Sequence, residues 1–259
     1  MGRATEVVVV EKNEVAVVDQ GFDNGLGELS IEDMIIPRLK IDKNNGDLKL
    51  NISDDVATEM NVAVIRISKS RILWPAEYDK DNDPLCKSNN FTTPDSSIEK
   101  PMCDSCGMLP LEQGQKRAKH KCEYANWTMN KKNENVPPAC SEVWNVLLVD
   151  LDTYTPMIFS VAGNKLSPTK KILSTINIRT SAKRIPACSF SFKLTSTLVS
   201  KPKGDIHVPV YSDLAQLPDD QASDMKIIME NMRDIQLSGG DVDEEGFAGP
   251  AAKESDEDF

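Results

Sequence analysis

A mainly β fold with minor α content, of the small OB-like barrel kind, is what this sequence predicts. Three observations carry it. Apolar residues recur at strand period in about five to seven short runs. One stretch between the later runs has helical spacing instead, and about 65 residues with neither pattern separate two of the strands. Periodicity alone leaves a sandwich or an α+β sheet open.

The expected organisation is an arm over 1–34, a core domain over 35–237 interrupted by an insertion at 76–142, and a tail over 238–259. The arm has β-prone runs at Val7 to Val10 and Val15 to Val18, followed by a glycine-rich stretch. Pro37 bars a helix, so Arg38 to Ile41 read as a strand, turned by Asn44-Asn45-Gly46-Asp47 into a return strand at Leu48, Leu50 and Ile52. Asn61 to Trp74 read as a half-buried strand with basic residues on its other face. Val143 to Val149 and Met157 to Val161 form a hairpin around Asp150 to Thr155. Ser167-Pro168 is read as an N-cap and first helical residue, with Ile172, Leu173 and Ile176 on one face. Strands follow at Ala187 to Leu198 and His207 to Tyr211, then a helix over 219–237 whose methionine stripe packs on the sheet.

Five of the six cysteines fall between Cys86 and Cys140, in a polar stretch too poor in apolar residues to order itself around a core. Cys103 and Cys106 form a CxxC, and Cys122 and Cys140 could complete a tetrahedral structural Zn2+ site, with Cys86 and His120 as alternates. A redox CxxC and plain reduced cysteines are the competing readings, and the βαβ setting of redox motifs is missing. Cys188 reads as a small core residue. A zinc deaminase is disfavoured because neither histidine has the glutamate such chemistry needs.

The net charge of −11 is unevenly distributed: −7 over 1–59, +7 over 60–207, −4 over 208–240 and −7 over 241–259. A basic middle with interspersed rings suits single-stranded nucleic acid, which needs cations for phosphates and flat faces for bases. The candidates are Lys69, Arg71 and Trp74 at one strand end, Tyr124, Trp127, Lys131 and Lys132 in the cysteine stretch, and Lys170, Lys171, Arg179, Lys183 and Arg184 around the helix. Trp144, Phe159, Phe190 and Phe192 are read as barrel interior. No apolar run approaches the roughly 20 residues of a membrane span, no basic-apolar leader is read, and a cytoplasmic location is expected.

After Ser238-Gly239-Gly240 the composition turns acidic and ends Asp256-Glu257-Asp258-Phe259, a tail expected to be disordered. This ending resembles the tails of replicative single-stranded DNA-binding proteins of tailed bacteriophages. Ile-Pro-Arg-Leu-Lys at 36–40, Cys-x-Ser at 86–88, Cys-Glu-Tyr-Ala-Asn-Trp at 122–127 and Pro-Pro-Ala-Cys at 137–140 are similar to the same group. One departure is Lys119, where that pattern leads one to expect a cysteine. The resemblance implies binding with little sequence preference in DNA replication and recombination, in the host cell cytoplasm. It also implies that the tail inhibits binding and recruits replication proteins such as polymerase or helicase/primase through Asp256, Glu257, Asp258 and Phe259. No catalytic residues are identified and no enzyme is expected. A zinc-ribbon protein adaptor with a DNA-mimic tail, or a metal-dependent nuclease, are the alternatives, and a homo-oligomer stays open.

Overall fold

A computed structural model describes residues 35–53, 55–75, 84–96, 106–110, 119–130, 133, 135–201, 204–233, 235 and 237. The expected arm, Cys103, Lys131, Lys132 and the tail lie outside the described residues. In chain order the strands are β1 (Arg38–Ile41), β2 (Leu48–Leu50), β3 (Val56–Ala57), β4 (Met60–Leu73), β5 (Cys86–Ser88), β6 (Thr128–Met129), β7 (Asn135–Val136), β8 (Cys140–Asp150) and β9 (Pro156–Ala162). Helix α1 (Leu166–Lys183), β10 (Phe190–Lys201), β11 (Gly204–Gln216) and α2 (Asp219–Asn231) follow.

The fold is mainly β, as expected. The main sheet runs β11-β10-β4-β8-β9-β1-β2-β3, with β5 added to the far end of β4, while β6 and β7 pair separately. Every pairing in it is antiparallel except β1 with β9. The sheet curls into a half-barrel. Its two ends are tied together where the Ser196 hydroxyl on β10 donates to the Gly46 carbonyl in the β1–β2 turn.

The curl creates two unlike faces. Leu39, Ile41 and Leu48 from one end of the sheet share a cluster with Phe190, Phe192 and Leu194 from the other, so this is the concave interior, closed by Leu173 and Ile176 of α1. The convex face presents Ala63, Ile65, Leu147, Val149 and Ile158 to Met225, Met232 and Leu237 in and beyond α2. Burying a side chain of this size contributes about 1.5–3 kcal/mol, which is why the long β4 and β8, rich in β-branched residues, sit at the centre with both faces covered. The first half of β4 is therefore apolar on both sides, which corrects the half-buried, half-basic expectation.

A β-bulge decides where the charged residues of β4 point. Val64 pairs with Leu148 and Arg66 with Leu147, leaving Ile65 as the extra residue. Val62 and Val64 face the interior, but beyond the bulge the odd positions Ile67, Lys69, Arg71 and Leu73 take that face. Arg66 is turned to the convex side, where its guanidinium donates to the carbonyls of Arg233 and Ile235.

Several expected boundaries shift. Helix α1 grows directly out of a 3-10 turn at Gly163–Lys165, so Ser167 and Pro168 lie in its first turn, where proline's missing N–H costs no bond. Strand β11 is far longer than His207 to Tyr211 and accepts Pro209 because, among the described residues, it pairs with β10 alone. Helix α2 stops at Asn231, and Ile235 and Leu237 pack on the sheet without helical structure. Among the described residues no helix is long and apolar enough to cross a membrane.

Candidate nucleic-acid interface

The far ends of β4 and β8 run together as a ribbon beyond the barrel interior, and the cysteine stretch folds against this ribbon. Along its concave face the cross-strand pairs are Lys69 with Trp144, Arg71 with Glu142 and Leu73 with Cys140. Directly opposed residues interact through their side chains, so one row carries cations, a ring, a carboxylate and a thiol.

Trp144 is half-buried and is bracketed by two lysines. Lys69 Nζ lies 4.4 Å from its ring centroid and Lys170 Nζ, reaching from α1, lies 5.1 Å away. The indole N–H donates to Glu142 Oε1 at 2.6 Å, and Lys170 Nζ is 3.0 Å from the same oxygen. Cation–π attraction and one shared carboxylate thus hold two ammonium groups side by side. Trp144 was expected in the interior with the phenylalanines. Phe159, Phe190 and Phe192 are buried there, and Trp144 packs at the margin of the same cluster while also organising a cationic patch. The signal available in the sequence was Glu142 and Trp144 two residues apart, which places both on one face of a strand.

Burial pushes the Glu142 carboxyl upward, but hydrogen bonds from Lys170 and Trp144 and the charges of Lys170 and Arg71 outweigh it and hold the group below its ordinary value. A carboxylate depressed on folding stabilises the fold above its unfolded pKa and loses that contribution as pH falls through the folded one. Acid titration should therefore change tryptophan fluorescence below the usual carboxylate range as Trp144 and Lys170 are released, and Glu142→Gln should remove that transition. An unchanged acid limb in Glu142→Gln would show that Glu142 does not govern the patch.

Of the other sequence candidates, Arg71 is not at the surface. It is 4% exposed, with Nη1 donating to the Cys140 carbonyl at 3.3 Å, Nη2 beside His120 Nε2 at 2.7 Å, and its guanidinium 4.6 Å from the Phe91 ring. Trp74 is half-buried against Ile72, Val143 and Ala162. Tyr124 packs against Leu73, Cys86, Cys122, Ala125 and Cys140, whereas Trp127, three residues on, is 63% exposed. Lys171 is exposed beside Lys170. Arg179, Lys183 and Arg184 are exposed at the other end of α1, Arg179 donating to the Leu214 carbonyl at 3.1 Å and Lys183 to Gln216 at 2.7 Å. Nine or more residues of helix, about 13 Å or more, separate them from Lys170.

Cys86, Cys106, Cys122 and Cys140 are all buried and reduced. They come from β5, a loop, the turn before a 3-10 helix at Glu123–Ala125, and the first position of β8. Burial raises the Cys106 thiol and takes Cys140 up to about 12, and each is further raised by charge on the other cysteines of the set. Among the described residues no three or more Cys, His, Asp or Glu stand as a ready-made metal cage. The donor chemistry nevertheless fits a soft divalent ion. Three of the sulfurs, those of Cys86, Cys122 and Cys140, share a small cluster with Leu73 and Ala125, with Tyr124 and Ala139 at its margin, and Arg71 Nε and His120 Nδ1 are buried without a hydrogen-bond partner. Cys188 is wholly buried in the convex-face core.

The fold and site define a mainly β half-barrel with a cysteine-bearing insertion and a lysine-bracketed tryptophan. No family model, curated protein or solved structure matches the chain.

Proposed function

We propose that this chain is a single-stranded DNA-binding protein of the bacteriophage replication and recombination kind, which coats strands with little sequence preference and catalyses no reaction. The observation that carries this reading is the pair of ammonium groups held by Trp144 and Glu142 on the concave side of the β4–β8 ribbon. Such an arrangement suits phosphates, which are sequence-independent contacts. The exposed Trp127 ring, three residues beyond Tyr124, which packs with Cys140 at the end of the same ribbon, provides a face on which a base can stack.

In this reading a structural Zn2+ bound to the cysteine insertion holds Tyr124 and Trp127 in place and supplies cross-linking rather than chemistry. The acidic tail competes for the cationic patch and recruits replication proteins. The test is titration of labelled oligo(dT) with the full chain and with a chain lacking 241–259, at two salt concentrations. Affinity should fall with salt by about 0.7 in log–log slope per phosphate neutralised, and tail removal should tighten binding. A truncated chain binding no better than an acidic control protein sinks the proposal, and strand cleavage with Mg2+ or Mn2+ would put a nuclease in its place.

A further inference from the structure

We infer that the near acidic cluster of the tail, Asp241, Asp243, Glu244 and Glu245, docks on the convex side of the β1–β2 hairpin against Lys40, Lys43 and Lys49, leaving the far cluster, Asp256 to Asp258, for the concave patch and for partners. This deepens the tail part of the proposed function and does not depend on DNA binding.

The hairpin supplies the first half of the argument. Lys40 and Lys49 stand directly opposite each other in its register. Leu39, Ile41 and Leu48 face the interior, so both lysines point outward. Like charges directly opposed destabilise a strand pair. The hairpin nevertheless carries four cations against two carboxylates between Arg38 and Leu50, in an N-terminal stretch that is otherwise acidic. Asp42 answers one of the cations, its Oδ2 lying 2.7 Å from Lys49 Nζ, while Asp47 accepts from Asn45 in the turn. Lys40, Lys43 and Lys49 line a cleft of about 380 Å³ in which Asp42 is the one carboxylate among the described lining residues. A further anion is what the opposed lysines call for.

The way the chain leaves α2 supplies the anion. Arg66 donates to the carbonyls of Arg233 and Ile235. Asn145, wholly buried, donates from Nδ2 to the Leu237 carbonyl at 3.3 Å and accepts from Ser160 Oγ at 2.7 Å. The root of the tail is thus fastened to the convex face beside Asn145. Asn145 pairs with Ser160, and β1 runs parallel to β9 with Leu39 opposite Phe159, so Lys40 comes next to Ser160. Leu237, Lys40 and Lys49 therefore follow one row across the sheet. At about 4.8 Å per strand, the row puts Lys40 roughly 10 Å and Lys49 roughly 14 Å from Asn145. Asp241 to Glu245 follow Leu237 by four to eight residues, a reach of about 13–29 Å when extended. The patch of Lys69 and Lys170 lies on the opposite face of the sheet. Asp256 to Asp258, 19 to 21 residues beyond Leu237, have a reach of about 60–75 Å and can round the sheet to it.

The test uses the full chain without DNA. Zero-length carbodiimide cross-linking and mass spectrometry of the monomer fraction should join Asp241, Asp243, Glu244 or Glu245 to Lys40, Lys43 or Lys49. Repeating it in about 1 M salt, where the screening length is about 3 Å, should remove these links. Deleting 241–259 should lower the melting temperature by about 2–4 °C in the wild type, and by less than about 1 °C in a chain carrying Lys40→Gln and Lys49→Gln, because the tail then has nothing to neutralise. Near-cluster links that run to Lys69, Lys170 or Lys226, an absence of links to the hairpin within the monomer, or an equal loss of melting temperature in both backgrounds overturns the docking. A docked chain that does not bind oligo(dT) refutes the DNA reading alone, and a chain that binds oligo(dT) without hairpin links refutes this inference alone.

Discussion

Reversing Lys69 and Lys170 together to glutamate is expected to weaken oligo(dT) binding about 10- to 100-fold near physiological salt and to flatten the salt dependence by about 1.4 in slope, two phosphates at 0.7 each. The expectation follows from how the two ammonium groups are held. Each is fixed over the same indole, so neither must be ordered again when a phosphate arrives, and lost side-chain entropy is a main cost of recruiting a lysine. Neither lysine is in the apolar core, but the double variant loses the Lys170–Glu142 ion pair and sets carboxylates beside Glu142, so some loss of melting temperature is expected and folding is checked by circular dichroism before affinities are compared. Lys226→Glu, on α2 over the convex face and paired with Glu230 at 4.0 Å, serves as the control and should change affinity by less than about twofold. If the control and the double variant lose affinity alike per charge, binding follows net charge and the patch has no special role.

How much of this was legible in the sequence depended on whether a local rule governed the residue. The β8–β9 hairpin was legible because a turn at Asp150 to Thr155 separates two apolar runs, and the structure pairs them antiparallel. The orientation of Lys69 and Arg71 was not, because one bulged residue at Ile65 exchanges the faces of everything after it, and Ile-Arg-Ile gives no sign of a bulge. The extent of β11 was hidden by its polar and proline-containing sequence, which only an edge strand tolerates.

The site divided in the same way. Lys69 and Lys170 are identified by charge and Trp144 packs against the interior as its apolar strand implies, but that the ring also joins the two lysines follows only from the approach of α1 to β8. Arg71 was read as a surface cation because nothing local reveals that the insertion folds over it. Cys86 ranked below the CxxC because spacing favours cysteines near in sequence, whereas strand register brings Cys86 and Cys140 to either side of Leu73.

Gly46→Val is expected to destabilise the chain by about 3 kcal/mol or more, lowering the melting temperature by roughly 6–12 °C for a domain of this size. Two effects add at this position. Its φ is +79°, in the region that favours glycine, which a β-branched residue enters at a cost of about 1–3 kcal/mol. A Cβ there would also collide with His207 Nδ1 on β11 and with Ser196 Oγ on β10, and forced overpacking costs a further 1–3 kcal/mol or so. The collision partners matter because they belong to the opposite end of the sheet order, so the substitution tests whether the half-barrel is drawn closed at this turn. Gly46→Asn separates the two effects, since asparagine tolerates positive φ but still carries the Cβ. If closure dominates, Gly46→Asn retains most of the loss, and His207→Ala in the Gly46→Val background restores part of it, a coupling that residues out of contact would not show. If Gly46→Val melts within about 0.5 kcal/mol of the wild type, as surface substitutions usually do, the β1–β2 turn does not bear on β10 and β11 and the sheet is open.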